Sequence, residues 1–491
     1  MIPRTMSTQH PDNVRMPFFV SGEVFNSEDE IREARCVYDW GCQEQMWDYE
    51  GKESDDQVVA KLLARNEAFF QSHPLGEDRF LTLRIPNPAV ETDEPKLLME
   101  ILESIPRFYD TATKFYGNES APVFEVILPM TTSVEALSRV YYYYRNFVVG
   151  KGSLTAFPSD SINIAQWLGP FKPERIDVIP LFEDWLSLLN AHEIVGAYLS
   201  DKDLEYQRVF LARSDPALNY GTMASVLFLN VALQRLAALE KRVGIPLYPI
   251  LGVGSSPFRG NFKPTNVEST LKGYASCQTF TLQSAFKYDW DQETVVAAIR
   301  QLNSAPRGEP LPVDEEKAIA LAQKTMAAYQ AQIPLVAPLV NRLTPFVPRR
   351  RLRKLHIGLF GYSRNAGSVR LPRAIPFCAS LYSVGLPPEI LGLQCLDADD
   401  LEVVKGVYPS PNFEEDLRDA LTYFNPRVLS LLPPSLAEQV KAALSAIGVD
   451  FEVDKRHQRV TDEVIDCLRE GWTDRLRELI VAGGAIRGFL G

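Results

Sequence analysis

Histidine is scarce in this chain, with five in 491 residues, and the six cysteines at 36, 42, 277, 378, 395 and 467 include no Cys-x-x-Cys pair. That scatter excludes a zinc ribbon or dithiol redox motif and predicts reduced, mostly buried thiols. No apolar run approaches the roughly 18 consecutive residues of a membrane helix. The first residues also lack the apolar stretch and small-residue cleavage site of a secretory signal, so a cytoplasmic protein without membrane contact is expected. Positive charge is in deficit: the net charge of −12 opposes nucleic-acid binding, which draws on clustered Lys and Arg. The one basic run, PRRRLRKLH at 348–356, leads straight into IGLF and reads as a solvated helix end or subunit contact. Glycines at 252, 254 and 260 fit neither GxGxxG nor GxxxxGK[ST], which excludes a Rossmann or P-loop nucleotide site.

What is present is alternation. Short apolar or β-branched runs, RFLTLRIP (79–86), VFEVILPM (123–130), IDVIPLFED (176–184), RVFLARSD (208–215), LYPILGVG (247–254), FTLQSAFKY (280–288) and KLHIGLFGY (354–362), are separated by helical periodicity such as that of 94–116. EILGLQ at 389–394 is the candidate eighth strand. Nearly continuous apolar runs mark parallel strands buried on both faces. The expected fold is an α/β (β/α)8 TIM-type barrel with additional helices in the N- and C-terminal regions. The expected organisation is one catalytic unit: an N-terminal segment at 1–75, the barrel at 76–395 and a mainly helical extension at 396–491.

Several runs end in a charge that sits awkwardly on a buried strand: Arg84, Glu183, Asp215, Lys287 and, just beyond a run, Arg364. In a barrel such ends converge on one mouth. Two neighbouring carboxylates, Glu183 and Asp215, stay ionised together when a cation lies between them, and a set of oxygen donors points to Mg²⁺ or Mn²⁺ over zinc. A general acid and base pair, as in glycosidases, is the rival reading. Arg84, Arg259, Arg364 and Arg373 favour the metal, because guanidinium forks suit a small acid carrying phosphate and carboxylate. The glycines around Arg259 predict a mobile loop that carries it over the substrate. His73, His192, His356 and His457 read as structural. His10, within MSTQHPDN, differs because polar side chains flank it on both sides, which suits a general acid or base.

Taken together, MSTQHPDN, WDYEGKE (47–53), FLARSDPALNYG, GSSPFRGN, HIGLFGYSR and LPRAIPF resemble the short archaeal type of phosphoenolpyruvate carboxylase, from residue 1 to the terminal FLG. The longer members' T-A-H-P-T corresponds to TQHPD, P-L-F-E-T to PLFED and Y-S-D-S-x-K-D-A-G to ARSDPALNYG. Their glycine-rich loop corresponds to GVGSSPFRGN, R-F-K-Y-G to SAFKYD and L-R-A-I-P-W to PRAIPF. The resemblance implies that His10, Arg259 and Arg364 are catalytic and that Glu183 and Asp215 hold Mg²⁺ or Mn²⁺. It also implies that Arg84, Arg259, Arg364, Arg373 and Lys287 bind substrate. Trp47 and Lys52 are candidates for lining the site or for a structural role. Leu218 and Val253 depart from the long family's lysine and first loop arginine. The implied reaction joins bicarbonate to phosphoenolpyruvate through carboxyphosphate and a metal-bound enolate, in a homotetramer whose glycine-ended tail approaches the site. Two other readings stand beside it: a different lyase or aldol reaction on a phosphorylated oxoacid, and a catalytically silent barrel that senses such an acid.

Overall fold

Thr5–Ser7, near the N-terminus, is the first strand of a closed barrel. The computed structural model of the protein describes residues 1–50, 54–91, 94–351, 364–366 (backbone), 369–408 and 412–491. The barrel runs β1 (Thr5–Ser7), β2 (Glu44–Asp48), β3 (Phe80–Arg84), β4 (Glu125–Leu128), β5 (Asp177–Phe182), β6 (Gln207–Ala212), β7 (Leu247–Gly252) and β8 (Thr279–Leu282). All neighbours are parallel, and β1 closes the ring by pairing with both β2 and β8. The chain is thus an α/β (β/α)8 barrel. Helices Leu97–Tyr116, Trp185–Leu199, Thr222–Val243 and Gln292–Ser304 lie among its connections. Thr222–Val243 is the one helix among the described residues long and apolar enough to cross a membrane, and 78% of its most apolar window is buried inside the protein.

The barrel interior explains the apolar runs. Met6, Met46, Ile127, Ile179, Leu181, Phe210, Ala212 and Ile250 form one inner cluster. Beneath it a charged layer closes the N-terminal end. Arg208 on β6 donates to Glu44 on β2 at 2.6 and 2.8 Å, to Glu125 on β4 at 2.8 Å and to Thr279 on β8 at 3.2 Å. These four residues come from alternate strands, the layering that barrel closure imposes. Burial pushes the Glu125 carboxyl up to about 7 against the pull of Arg208.

Two strands differ from expectation. EILGLQ is not a strand: 388–390 and 393–395 are single 3₁₀ turns. Gly392 between them has φ +86°, and a Cβ there would lie 2.9 Å from the Tyr329 Cβ, so extended backbone gives way to a tight packed turn. The run at 354–362 lies outside the described residues. The barrel is completed instead by β1 and β2, inside the stretch expected to be an N-terminal segment. β1 is three residues long, and β2 begins and ends in acids, so neither shows as an apolar run.

After β8 the chain is helical. Glu315–Leu343 packs on Thr222–Val243, and Ala374–Ser383 packs on Leu476–Arg487. A short parallel ladder joins Val24–Phe25 to Arg350–Arg351 and brings distant chain back beside β1.

Candidate active site at the C-terminal strand ends

Six of the expected residues, His10, Arg84, Glu183, Asp215, Arg259 and Lys287, stand at or just after the C-terminal ends of barrel strands; Arg364 and Arg373 lie beyond the last strand. Arg84 is the last residue of β3, in register with Asp48 at the end of β2. Its fork donates from Nε to Asp48 Oδ1 at 2.8 Å and from Nη2 to Oδ2 at 2.6 Å, with Nη1 3.1 Å from Glu50. Burial would lower the Arg84 pKa, but Asp48, Glu50 and, more weakly, Glu183 outweigh it and raise it. Arg84 is therefore strongly committed to acids, and Glu183 is close enough to act on it electrostatically.

Glu183 directly follows β5, and its Oε2 accepts the Met130 N–H at 2.9 Å from the neighbouring β4 end. Phe182 is in register with Leu211 on β6, so Glu183 and the turn after Ala212 share one rim. Asp215 stands in that turn, in the first turn of the short helix Ser214–Tyr220. Two carboxylates thus sit on adjacent strand ends. Among the described residues no group of three or more His, Cys, Asp and Glu side chains forms a complete metal cage. An all-oxygen pair suits Mg²⁺, which is commonly held by one or two carboxylates and keeps waters and substrate oxygens for the rest.

His10 follows β1. The Thr8 N–H still pairs with Leu282 of β8 at 3.1 Å, so the chain leaves the sheet just before the imidazole. His10 Nδ1 lies 2.7 Å from Thr8 Oγ1, whose hydroxyl is directed to the Leu282 carbonyl at 3.4 Å. The ring's donor and acceptor roles in this contact follow from its tautomer. Gln9 accepts the Asp48 N–H at 2.8 Å and donates to Glu30 at 2.7 Å. Farther along, Asp289 accepts the N–H groups of Val14 and Arg15 at 2.9 Å each. Its carboxyl is pushed up to about 7, first by burial.

The loop after β7, expected from its glycines to be mobile, is packed down in this structure. Arg259 is 1% exposed and ends a 3₁₀ turn, Pro257–Arg259, within a buried stretch. Its Nη1 donates to the Gly491 carbonyl at 2.7 Å and its Nη2 to Gln283 at 2.5 Å, with Asp12 at 3.7 Å. The glycines serve close packing. A Cβ on Gly254 would lie 2.6 Å from the Arg259 Cζ, and Gly260, at φ +124°, would place one 2.7 Å from Val253. Arg213, which motif reading missed, holds the same loop by donating to the Phe258 carbonyl at 2.7 Å.

Gly491 explains how this loop is fastened. The Arg487 side chain donates to the Leu490 carbonyl at 3.1 Å and lies 2.8 Å from His457 Nε2. Deleting residues 489–491 removes the Arg259 partner, and turnover should fall about a hundredfold, the scale of a misplacement near 1 Å; steady-state kinetics of the truncated chain at wild-type rates would contradict this. His457 also gives a pH prediction. Burial, and next the Arg487 charge, push its pKa down to about 2. The folded chain therefore keeps the imidazole neutral below about pH 6.5, where the unfolded chain binds a proton, so stability is lost as pH falls. The stability advantage of the wild type over His457→Gln should shrink by about 0.8 kcal/mol between pH 7.5 and pH 6, the slope approaching about 1.4 kcal/mol per pH unit only well below pH 6.5. Urea titrations give this difference, and a pH-independent one contradicts it.

Lys287 is 3% exposed, and its ammonium donates to the Thr8 carbonyl at 2.6 Å and to Glu33 at 2.9 Å. Arg373 is half-buried at the start of helix Ala374–Ser383. The Arg364 backbone pairs with Leu371 in a small antiparallel hairpin. Lys52 and His356 lie outside the described residues. Trp47 is fully buried and donates to the Asp55 carbonyl at 3.1 Å, so its place is in the core. Leu218 and Val253 are likewise buried apolar residues.

The basic run divides: Arg349 is exposed as expected, two of its arginines are buried, and 352–356 lie outside the described residues. Arg350 and Arg351 are neither solvated nor on an outer surface: they are 5% and 3% exposed. Arg350 donates to the Asn13 and Val14 carbonyls at 2.9 and 2.7 Å, and Arg351 to His10 O at 3.2 Å. The acids that balance Arg351, Glu30 and Glu33, lie some 320 residues earlier in the chain. The only sequence signal was that the run flows into apolar residues.

Comparisons with known proteins point to one family. A family model described as phosphoenolpyruvate carboxylase matches residues 2–491. Curated proteins named phosphoenolpyruvate carboxylase from Methanothermobacter thermautotrophicus and Methanospirillum hungatei are each 49% identical over 491 residues, covering 100% of both chains. One from Pyrococcus furiosus is 46% identical over 495 residues, again covering 100% of both.

Proposed function

The chain belongs to the phosphoenolpyruvate carboxylase family, and from that premise we propose that it joins bicarbonate to phosphoenolpyruvate, giving oxaloacetate and phosphate. The observation that carries the reading is convergence: residues matching the family's motifs, drawn from β1, β3, β5, β6, β7 and β8, stand after strand ends on one face of a closed barrel. The alternative lyase and sensor readings have no comparable support.

In this reading Arg259, Arg364 and Arg373 bind the phosphoryl and carboxylate groups, with Arg84 adding positive potential balanced by Asp48 and Glu50. A bicarbonate oxygen attacks phosphorus, the enolate oxygen departs, and carboxyphosphate forms. Glu183 and Asp215 would hold the divalent cation, Mg²⁺ or Mn²⁺, which when bound supplies Lewis-acid stabilisation of negative charge on substrate oxygen. His10 Nε2 takes the carboxyl proton of carboxyphosphate as its C–O bond breaks to CO2 and phosphate, and returns that proton to phosphate. The enolate carbon then attacks CO2. The buried Arg259 loop and the tail at Gly491 keep bulk water from protonating the enolate first. Homotetrameric assembly and a cytoplasmic setting belong to the same proposal. The exposed Phe147, Leu154, Phe157, Trp167 and Leu168 offer apolar surface for contact between copies.

The test is an oxaloacetate assay coupled to malate dehydrogenase. Product should require phosphoenolpyruvate, bicarbonate and a divalent cation together. No oxaloacetate under any of these conditions would overturn the reading.

A further inference from the structure

Three consecutive residues, Thr8, Gln9 and His10, are tied to one helix, Gln9 directly and the other two through Lys287 and Arg351. Helix Ser27–Asp39 presents Glu30 and Glu33 on one face, the spacing that makes helical neighbours. Glu33 is 1% exposed. Both of its oxygens accept from Arg351 Nη2 at 2.8 Å, and Oε1 also accepts from Lys287 Nζ at 2.9 Å and from the Tyr288 hydroxyl. Each cation then reaches the His10 segment with another donor. Lys287 donates to Thr8 O at 2.6 Å, and Arg351 Nε donates to His10 O at 3.2 Å. Glu30 completes the set, accepting from Arg351 at 3.0 Å and from Gln9 at 2.7 Å.

We propose that Glu33 is a positioning residue for His10: it anchors the Lys287 ammonium and the Arg351 guanidinium, which grip the backbone on either side of the imidazole. Lys287 is then an arm of this clamp instead of a substrate ligand. The two acids and two cations balance in charge, so the cluster is stable when buried and costly to break on one side. Burial alone would raise the Glu33 pKa, but Arg351 and Lys287 hold it near 2, so the anchor stays charged across the working pH range. The Arg351 guanidinium also stacks over the Phe25 ring at 4.3 Å, which limits its freedom to swing away. The inference rests on His10 being the proton acceptor of the proposed reaction.

The experiment compares Glu33→Gln and Arg351→Lys with the wild type in the full-length protein. Arg351→Lys keeps the positive charge opposite Glu33 and Glu30 and removes the fork that reaches His10 O, so it tests the clamp even if Glu33→Gln folds poorly. Two quantities are read: the ratio of pyruvate to oxaloacetate formed from phosphoenolpyruvate, and the rate at which diethyl pyrocarbonate modifies His10, followed by peptide mass spectrometry. Both variants should raise the pyruvate share about tenfold with little change in KM, and should speed modification of His10 severalfold. In a His10→Asn background Glu33→Gln should not move the product ratio further. Wild-type product ratio and modification rate in both variants would overturn the proposal, as would an equal shift in the His10→Asn background. If the modification rate rises while His10→Asn itself leaves the product ratio unchanged, the clamp stands and the proton-acceptor role of His10 fails.

Discussion

Asp215→Asn is expected to lower kcat about a thousandfold or more and to abolish the response to added Mg²⁺ or Mn²⁺. Asparagine keeps the shape and one oxygen but loses the charge. The effect follows from position: Asp215 and Glu183 stand on adjacent strand ends. A hard cation gives several kcal/mol of stabilisation to charge developing on oxygen, and each 1.36 kcal/mol is a factor of ten in rate. Folding should be little affected, because Asp215 is only partly buried in the opening turn of a short helix. Titrating the variant with Mn²⁺ while following activity checks this. A rate within tenfold of wild type, still inhibited by a chelator, would place the metal elsewhere.

His10→Asn should separate the two halves of the reaction. Asparagine can occupy the same space beside Thr8 but cannot accept a proton, so breakdown of carboxyphosphate slows by about 10²- to 10⁴-fold. Attack of bicarbonate on phosphorus does not need the imidazole. Phosphoenolpyruvate should therefore still be consumed, at a lower rate, and appear as pyruvate because the enolate meets water before CO2. Assays of both products from one reaction give the partition. Oxaloacetate formation at the wild-type rate would refute the role.

The parts of this fold that were legible in the sequence are those set by local burial. IDVIPLFED and LYPILGVG read as strands because parallel strands inside a ring of helices are apolar on both faces, and Glu183 stood out as a charge ending such a run. β2 was hidden for the opposite reason: Glu44 belongs on a buried strand only because Arg208, 164 residues away, meets it inside the barrel. Gly392 hid a tight turn in what read as a strand, since the tyrosine packed against it lies in another helix. Within the site, MSTQHPDN drew notice to His10 through its polar flanks, and Thr8 does meet the imidazole, while the other ties of this segment reach farther. Gln9 reaches Asp48 and Glu30, and the carbonyls on either side are held by Lys287 and Arg351. The same distance effect accounts for Arg350 and Arg351, which depart from the reading of 348–356 while Arg349 is exposed. A run of arginines is normally solvated, and only the fold supplies the buried acids that reverse that expectation. The glycines near Arg259 drew notice as a source of motion, and the fold adds a second use for them, because a missing Cβ permits close packing as readily as motion.

The central claim is that Glu183 and Asp215 share one divalent cation at the C-terminal mouth of the barrel. Its most direct test is the anomalous scattering of Mn²⁺ in crystals grown with a non-reactive phosphoenolpyruvate analogue. The expected result is a single strong peak within roughly 2.1 Å of an oxygen from each carboxylate, with the analogue between that peak and the arginines. A peak at any other place in the molecule, in a protein whose turnover still depends on Mn²⁺, would contradict it.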